Sequence, residues 1–482
     1  MPLILGAASA AAAGGYDIDN SCRFNGDAYL HKTLGTPTNR NKWTTSVWFK
    51  KCDVDASANR RQLFQGHGGS TDYTGLVMDD SGGRVDFGNR QSSHVGRLIS
   101  NAEYQDPMGW YHVVTMWDST ESVAGDRMKL YVNGVEITSF ATDTNPALNE
   151  DCAMASGDVF YVGGHGGTSY QWDGYMAELV FCDGQAYAAS DFGEFSSDSS
   201  SIWIPKDPSG LTFGANGFWL DFEDSANLGN DANGGTDLTE VGLAAGDQAV
   251  DTPTNNFCTW NPLWTGRNPQ STYGASLDEG NVNWARNDDT GVGGTFALTK
   301  GKWYMESKVT VYNNYTSYYW GLWNTNLENG GSNSPGYNFF TQTDGGSGIQ
   351  QSNNYLLTPA LSNVQKKEDG TSTADYSTNK CDVGDIIGMA IDLDAGDLEF
   401  YNTNTSIATA MSLTTTAAQD RMYILTANLA GSAGDMECNF GGCPGFTDSA
   451  TNTDENGYGK FVYAPPSGFL AMCSKNLGSD GG

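Results

Sequence analysis

The chain has 482 residues and a formal net charge of −32, from 25 Lys and Arg against 57 Asp and Glu. A field of this sign repels phosphate backbones and anionic lipids, so we expect no nucleic-acid partner and no membrane insertion. The length allows two to four domains, and 61 Gly together with 12% aromatic residues are typical of β-rich, turn-rich proteins rather than helical ones.

The chain begins with MPLILGAASAAAAGG, which is apolar and then rich in small residues, as in a signal peptide. It lacks a positively charged start, and its apolar run covers only residues 3–5. We therefore predict that residues 1–20 form an arm that attaches the protein to a partner, with cleavage of a signal as the alternative. The nine Cys show no CxxC pattern, which favours reduced thiols over zinc ligands or a disulfide framework.

From residue 21 onward, short alternating runs are broken by Gly, Asn and Asp at the spacing of strands in a β-sandwich. The dipeptide Asn133-Gly134 stands between two valines and predicts a hairpin with a two-residue primed turn. The clearest predicted strands of the first half are residues 43–50, 110–117, 128–138 and 173–183.

The tetrapeptide GHGG occurs twice, at residues 66–69 and 164–167, each time after a strand-like run. Two histidines could bind a metal ion, but no third ligand accompanies them. We interpret both copies as glycine-rich strand ends.

The segment Asp80-Ser81-Gly82-Gly83 is similar to the nucleophile motif of trypsin-type proteases. A catalytic serine requires a histidine base and an orienting carboxylate, and none of the five histidines has a matching context. The segment is therefore predicted to be the turn of a β-hairpin.

A turn-rich passage over residues 205–254 places a domain boundary near Asp251. The predicted fold is all-β: an N-terminal arm (residues 1–20) and two antiparallel, jelly-roll-like β-sandwich domains in tandem, over residues 21–250 and 251–482. Predicted strands of the second half are residues 302–312, 317–324, 386–401 and 422–429.

The segment YNNYTSYYWGLWNTN (residues 312–326) is the strongest binding signal, because sugars stack on aromatic rings while amides hold their hydroxyls. A four-residue loop at 313–316 would pair Val311 with Tyr318 and turn alternate aromatic residues outward. The predicted glycan-binding residues are Tyr315, Tyr319, Trp323 and Asn324. Alternatively, a second sheet, a partner subunit or a loop covers these rings.

The segment IDLDAGDLEFYN (residues 391–402) is predicted to be a hairpin whose even loop pairs Leu393 with Leu398 and Ile391 with Phe400. This leaves four carboxylates on the opposite face, as weak candidates for a calcium site: Asp392, Asp394, Asp397 and Glu399. The leucines occupy ligand positions of a true calcium loop, so no metal or other cofactor is assigned.

Three segments of the first half resemble the laminin-G/lectin type of concanavalin A-like domain: residues 110–120 (WYHVVTMWDST), 126–137 (DRMKLYVNGVEI) and 162–185, which ends in DGYMAELVFCDGQ. The second half is similar to SPRY domains in residues 301–309 (GKWYMESKV), 384–402, 439–442 (NFGG) and 464–477.

Two such domains in this order resemble virion-surface proteins of tailed bacteriophages. The resemblance implies a non-enzymatic structural or adhesion protein of the virion surface, in a tail fibre or capsid appendage, which is made in the host cytoplasm and contacts host surface glycans. It further implies attachment to other virion proteins through the N-terminal arm, and a homo-oligomer.

Glycoside hydrolases of the concanavalin A-like type carry Glu-x-Asp-x-x-Glu on one strand, and this chain lacks that pattern. We therefore expect no enzymatic activity and assign no catalytic residue. The alternatives are a polysaccharide depolymerase and a secreted glycan-binding adhesin of a cellular organism.

Overall fold

The computed structural model describes residues 15–52, 61–67, 71–79, 83–166, 170–266, 276–286, 290–311, 317–324, 354–358, 364–368, 371–377, 382–407, 410–413, 423–430 and 434–481. Two compact units are present, one spanning Ala12–Thr254 and the other containing Asn255–Gly482. Both are built from antiparallel sheets, so the all-β prediction is confirmed. No helix in the described part of the chain is long and apolar enough to cross a membrane.

The first unit contains eighteen strands among its described residues. They are β1 (Ser21–Asn25), β2 (Tyr29–Thr33), β3 (Lys42–Lys51), β4 (Arg61–His67), β5 (Asp72–Met78), β6 (Arg84–Gln91), β7 (Ser93–Glu103), β8 (Tyr111–Asp118), β9 (Met128–Val132), β10 (Val135–Glu136), β11 (Phe140–Thr144), β12 (Val159–Val162), β13 (Asp173–Asp183), β14 (Gly193–Phe195), β15 (Trp203–Pro205), β16 (Phe218–Leu220), β17 (Thr239–Val241) and β18 (Gln248–Ala249). Short 3-10 turns lie at Ala124–Asp126, Ala189–Asp191, Pro208–Gly210 and Ala245–Asp247.

Sixteen of these strands form two large sheets around one core, and β14 and β15 pair separately. The front sheet has the order β11-β7-β6-β5-β4-β12-β2-β17, and the back sheet has the order β10-β9-β8-β3-β13-β1-β18, with β16 beside β13. The indole of Trp43 on β3 packs edge-on against Phe64 and Phe87 of the front sheet, at ring-centroid distances of 6.2 and 5.5 Å. Because strand side chains alternate, fixing these rings inward turns the residues between them outward.

The hairpin predicted at Asn133-Gly134 is confirmed. Val132 pairs with Val135, and both turn residues have positive φ, 48° and 75°, as a type I′ turn requires. The predicted hairpin on either side of Gly83 is also present, because Met78 of β5 pairs with Val85 of β6.

The outer face of the back sheet is covered by the protein's own chain. Phe192 and Phe213 pack with Val180 in one buried cluster, and Ile18 packs with Trp48 in another. This sheet therefore has hydrophobic layers on both sides, and the residues that follow β13 serve as its outer lid.

Glu178 anchors the lid although no cation pairs with it among the described residues. Its carboxylate accepts hydrogen bonds from the Tyr16 hydroxyl (3.0 Å) and the Trp219 indole N–H (2.7 Å), and the residue is 6% exposed. Burial raises the pKa of Glu178 to about 8, although both hydrogen bonds act in the opposite direction. The folded protein thus holds this side chain as a neutral acid around pH 6.

Residues 251–254 are tied to the first unit. The Lys50 ammonium lies 2.8 Å from the Asp251 carboxylate, with both side chains 1% exposed, and Thr254 hydrogen-bonds Ile18. The first compact unit therefore extends to Thr254. The domain limits drawn from the sequence, with a boundary after residue 250, stay a prediction.

The second unit contains sixteen strands among its described residues. They are β19 (Trp260–Gly266), β20 (Ser276–Asp278), β21 (Asn283–Arg286), β22 (Thr290–Leu298), β23 (Lys302–Val311), β24 (Ser317–Asn324), β25 (Asn354–Thr358), β26 (Val364–Glu368), β27 (Thr371–Ser377), β28 (Ile386–Asp392), β29 (Asp397–Asn402), β30 (Thr405–Ser406), β31 (Met411–Ser412), β32 (Tyr423–Ala430), β33 (Gly434–Asn439) and β34 (Leu470–Ala471). One helical turn, α1 (Ser474–Asn476), precedes a π-helical turn at Leu477–Gly481.

A seven-stranded sheet (β19-β22-β32-β24-β25-β26-β27) and a nine-stranded sheet (β20-β21-β33-β23-β28-β29-β30, with β31 beside β29 and β34 beside β23) enclose the core of this unit. Trp320 of the first sheet meets Phe400 of the second at a centroid distance of 5.5 Å. The predicted hairpin between β23 and β24 is wrong, because β23 pairs with β28 and β33 whereas β24 pairs with β25 and β32. Both strands are rich in core residues, and each lies in a different sheet of the sandwich.

Glu306 on β23 organises the segment that follows β33. Its carboxylate accepts hydrogen bonds from the backbone N–H groups of Val462 (2.9 Å) and Tyr463 (2.8 Å) and from the Asn439 side-chain amide (3.1 Å). The residue is 0% exposed, and burial raises its pKa although these donors stabilise the charged form. One buried acid thus satisfies several donors that would otherwise lack an acceptor.

We predict that Glu306→Ala lowers the free energy of unfolding by about 3 kcal/mol or more, since it leaves several buried donors unpaired. Urea unfolding of the full chain, followed by tryptophan fluorescence, measures this change. The matched control is Glu399→Ala on the same sheet, where the carboxylate accepts only from Tyr401 and Ser406 near the surface. Equal shifts for the two variants would contradict the assigned role of Glu306.

We predict that the stability of Glu178→Gln relative to the unsubstituted protein is higher at pH 8 than at pH 5. A folded-state pKa above the unfolded value gives stability that is fully present below about pH 4.5 and is lost as the pH rises through 8. Glutamine does not titrate, so the variant lacks this pH dependence. In the unsubstituted protein the free energy of unfolding changes by at most about 1.4 kcal/mol per pH unit. Melting temperatures of both proteins across this range test the prediction, and parallel profiles would refute it.

Candidate functional site

Described residues of the two GHGG motifs meet on the front sheet, where β4 and β12 are neighbouring interior strands. Gly66 and His67 of the first motif are the last two residues of β4, and the second motif begins two residues beyond the end of β12, the neighbouring strand. Gly163 and Gly166 have φ of 77° and 81°, so the chain folds back here until the His67 Nε2 lies 3.4 Å from the His165 carbonyl oxygen. A Cβ atom on Gly166 would lie 2.6 Å from the Tyr161 hydroxyl, so this close approach requires glycine.

Aromatic rings cluster where the motifs meet. The His67 ring stacks on Tyr161 with a centroid distance of 5.2 Å and an interplanar angle of 18°. Tyr29 and His31 lie 5.9 and 6.0 Å from Tyr161. All four side chains are partly exposed, and the cluster therefore presents ring faces to solvent.

The strand register explains why these side chains share one face. His31 pairs with Tyr161, and Tyr161 pairs with Gln65, while the alternate residues Phe160 and Phe64 point into the core. A second row crosses the same face in the order His67, Tyr73, Arg90 and His94. We call the outer surface formed by Tyr29, His31, Gln65, His67, Tyr73 and Tyr161 the front face.

Two glycines, Gly75 and Gly88, pair with one another in the middle of the front face. Above Gly75 the Gln62 side chain lies flat, with its amide nitrogen donating to the Phe64 carbonyl, and a Cβ atom would meet that amide at 2.8 Å. Above Gly88 the nearest side-chain atoms would be 3.7 Å away, in His94. Glycines inside strands often mark a place where another group approaches closely, and over Gly75 that group is the Gln62 amide.

The front face does not form a metal site. No group of three or more His, Cys, Asp or Glu side chains suited to a metal ion occurs among the described residues. The His67 Nε2 donates to a carbonyl oxygen, and its ring packs on tyrosine. In the residues that the structure describes, the arrangement matches an aromatic binding surface better than a coordination sphere.

The remaining histidine, His112, lies on the back sheet and contacts a serine. Its Nε2 is 2.7 Å from the Ser46 hydroxyl, and its Nδ1 accepts a hydrogen bond from the Trp203 indole N–H at 2.9 Å. An indole N–H only donates, so the proton of the neutral ring resides on Nε2 and faces the serine. Burial lowers the pKa of His112 to about 3. The imidazole has no lone pair directed at Ser46, and the pair cannot generate a nucleophile as arranged.

The acidic hairpin of residues 391–402 exists, but its register differs from the prediction. Ile391 pairs with Leu398 and Asp392 with Asp397, so the predicted pairs of Leu393 with Leu398 and of Ile391 with Phe400 are wrong. The loop contains residues 393–396 because the Asp392 carboxylate accepts the backbone N–H groups two and three residues ahead, at 3.1 and 2.8 Å. The pairing register is shifted by two residues from the predicted one, so the side chains that face the core are those that the sequence predicts.

The four candidate calcium ligands of this hairpin have other partners or remain at the surface. Asp392 forms an ion pair of 2.7 Å with Lys302, and Asp394 accepts the Gly301 N–H at 2.9 Å. Burial raises the pKa of Asp392, but the lysine and the turn amides outweigh it and bring the pKa below its usual range. Glu399 accepts hydrogen bonds from two hydroxyls, and Asp397 is exposed.

The predicted glycan-binding residues of the second half lie elsewhere. Tyr315 falls outside the described residues. Tyr319, Trp323 and Asn324 belong to β24, whose backbone pairs with β25 and β32, and their side chains are also outside the described part. Their predicted role stays a prediction.

The sequence analysis missed the ring cluster of Tyr29, His31 and Tyr161. The repeated GHGG motif was the available signal, because each copy places a histidine at or just beyond the end of a strand of the front sheet.

Residues 24–189 match the family model described as the concanavalin A-like lectin/glucanases superfamily, of the laminin G type. This stretch contains the whole front face and every strand of the front sheet apart from β17. A comparison with curated proteins finds no match.

Among solved structures, the chain is similar to a native heptameric SAP-like pentraxin from Limulus polyphemus, with 21% identity over 36% of this chain and 80% of that chain and a TM-score of 0.28. The SPRY domain of human HERC1 is matched with 9% identity over 38% of this chain and 97% of that chain, with a TM-score of 0.26. Domain 4 of AbnA, an extracellular arabinanase from Geobacillus stearothermophilus in complex with arabinotriose, is matched with 17% identity over 35% of this chain and 72% of that chain, with a TM-score of 0.27.

Proposed function

We propose that this protein is a non-enzymatic glycan-binding protein whose first unit binds sugar on the front face. The observation that carries the proposal is the stacked pair of His67 and Tyr161, held in place by the meeting of the two GHGG motifs. Sugars present apolar C–H faces that stack on such rings, and their hydroxyl groups hydrogen-bond nearby side chains such as Gln65.

The two sides of the first unit differ in a way that supports this choice of face. The outer side of the back sheet is covered by the lid residues Phe192 and Phe213, whereas the aromatic side chains of the front face are partly exposed. The family match over residues 24–189 agrees with a lectin-like role.

The absence of enzymatic activity is part of the proposal. Ser46 and His112 are buried with the wrong tautomer for nucleophile activation. The one carboxyl group whose pKa rises to about 8, Glu178, is enclosed by Tyr16 and Trp219 on the opposite side of the sandwich from the front face. A general acid must reach its substrate, and this one lies beneath the lid.

We further propose that the protein acts on a phage virion surface, in a tail fibre or capsid appendage, attached to other virion proteins through residues 1–20 and present as a homo-oligomer. The order of a lectin-like and a SPRY-like segment supports this assignment, as do the buried thiols, which suit synthesis in a reducing cytoplasm. Many copies would turn weak sugar contacts into useful avidity. Immunogold imaging of purified particles tests the location, and absence of label from every particle surface would refute it.

We predict that Tyr170→Ala lowers glycan binding by about tenfold, the effect of losing roughly 1.4 kcal/mol of ring contact. Tyr170 is 40% exposed and its ring lies 5.3 Å from His165, at the edge of the ring cluster. The readout is a glycan array followed by titration calorimetry with the best ligand.

Phe195→Ala is the matched control, since this ring is 43% exposed but packs on Trp203 at the back of the unit. Loss of binding in both variants, or in neither, would refute the assignment of the front face. Release of reducing ends from a bound polysaccharide would instead establish a depolymerase.

A further inference from the structure

The front face and its margin collect histidine and arginine side chains in a chain whose net charge is −32. Four of the five histidines lie on the front face or beside it: His31, His67, His94 and His165. Three arginines, at positions 84, 90 and 97, lie on the two neighbouring strands β6 and β7. This concentration runs against the average of the sequence and calls for a specific explanation.

Two of these arginines are neutralised locally. Arg84 contacts the Asp79 carboxylate through two nitrogens, at 2.9 and 2.6 Å, and Arg97 contacts Asp86 at 3.0 and 2.6 Å. The aspartate side chains are only 5% and 7% exposed, so both pairs belong to the framework of the sheet.

Arg90 differs from both neighbours. Its Nε and Nη2 atoms approach only the Ser92 carbonyl oxygen, each at 3.4 Å, and no carboxylate pairs with it among the residues that the structure describes. The side chain is partly exposed. Its guanidinium group therefore keeps free donors and an uncompensated charge directed away from the core.

The register fixes where this charge lies relative to the rings. Arg90 pairs with Tyr73, which pairs with His67, so the guanidinium-bearing position is two strands from the stacked rings, about 10 Å away. A chain of sugars lying across the strands would meet aromatic rings at one end and a cation at the other.

We propose that the front face binds a uronate polysaccharide, with Arg90 as the partner of a sugar carboxylate. This inference rests on the proposed glycan-binding function and names its ligand class. The planar guanidinium fork matches a carboxylate through two parallel hydrogen bonds, and the ring cluster supplies the stacking surface for the adjoining sugar. The negative net charge elsewhere on the protein would repel an acidic polymer from the other surfaces, so that its contacts are confined to the neighbourhood of Arg90.

The test compares two forms of one polymer, polygalacturonate and its methyl ester, which lacks the charge. Titration of the full chain is expected to show at least about tenfold tighter binding of the acid form, the factor that one charge-assisted hydrogen bond provides. In Arg90→Gln the ratio of the two affinities falls to about one. Arg90→Lys, which keeps the charge but not the fork, gives an intermediate ratio.

Lys206→Gln is the control, because it removes one positive charge from an exposed pair with Glu194 at the back of the unit and should leave the ratio unchanged. Melting temperatures of all variants establish that they are folded. Equal binding of the acid and the ester, or an unchanged ratio in folded Arg90→Gln, overturns the proposal.

Binding of dextran sulfate but not of polygalacturonate also overturns it, in favour of sulfated polymers. If neither uronate polymer binds while array glycans still bind in a Tyr170-dependent way, the uronate proposal fails and the glycan-binding function stands. If no glycan binds at all, both fail.

Discussion

The first unit depends on the contact between Trp43 of the back sheet and the rings of Phe64 and Phe87 in the front sheet. Once these rings face inward, alternation along each strand decides which residues face outward. A slip of one residue in β4 would place Gln65 and His67 in the core and expose the phenyl rings. The front face is therefore a consequence of core packing, because strand alternation alone places its residues on the surface.

Buried acids join segments that are far apart in the sequence, and each is compensated differently. Asp251 is neutralised by Lys50, which is 201 positions away. Glu306 accepts hydrogen bonds from several surrounding donors. Glu178 instead keeps its proton, because two hydrogen bonds do not offset the free-energy cost of burying a charged carboxylate. In this acidic chain, carboxyl groups thus replace part of the hydrophobic contact between the sandwich and the segments that cover it.

Local patterns in the sequence predicted local structure well. Strand β13 begins and ends where the sequence analysis placed it, and the turn at Asn133-Gly134 follows from residues that tolerate positive φ. Errors arose where the answer depended on distant partners. The segments around residues 302–324 look like a hairpin because both are apolar strands near one another in sequence, yet each pairs with strands from other parts of the chain. The register of the 391–402 hairpin was set by the Asp392 side chain capping its own turn, a contact that hydrophobic alternation does not reveal.

The candidate site could be predicted only in part, for the same reason. Each GHGG motif is visible in the sequence, but their meeting requires that β4 and β12 be neighbours, which the separation of 98 positions between His67 and His165 conceals. The charge of the site cannot be read from the composition of the chain. Composition reports an average of −32 over the chain, whereas a ligand meets only the groups on one face, where paired arginines cancel their aspartates and Arg90 does not. The net charge disfavours polyanions in general, so we expect an acidic polymer to bind only where a local cation such as Arg90 meets it.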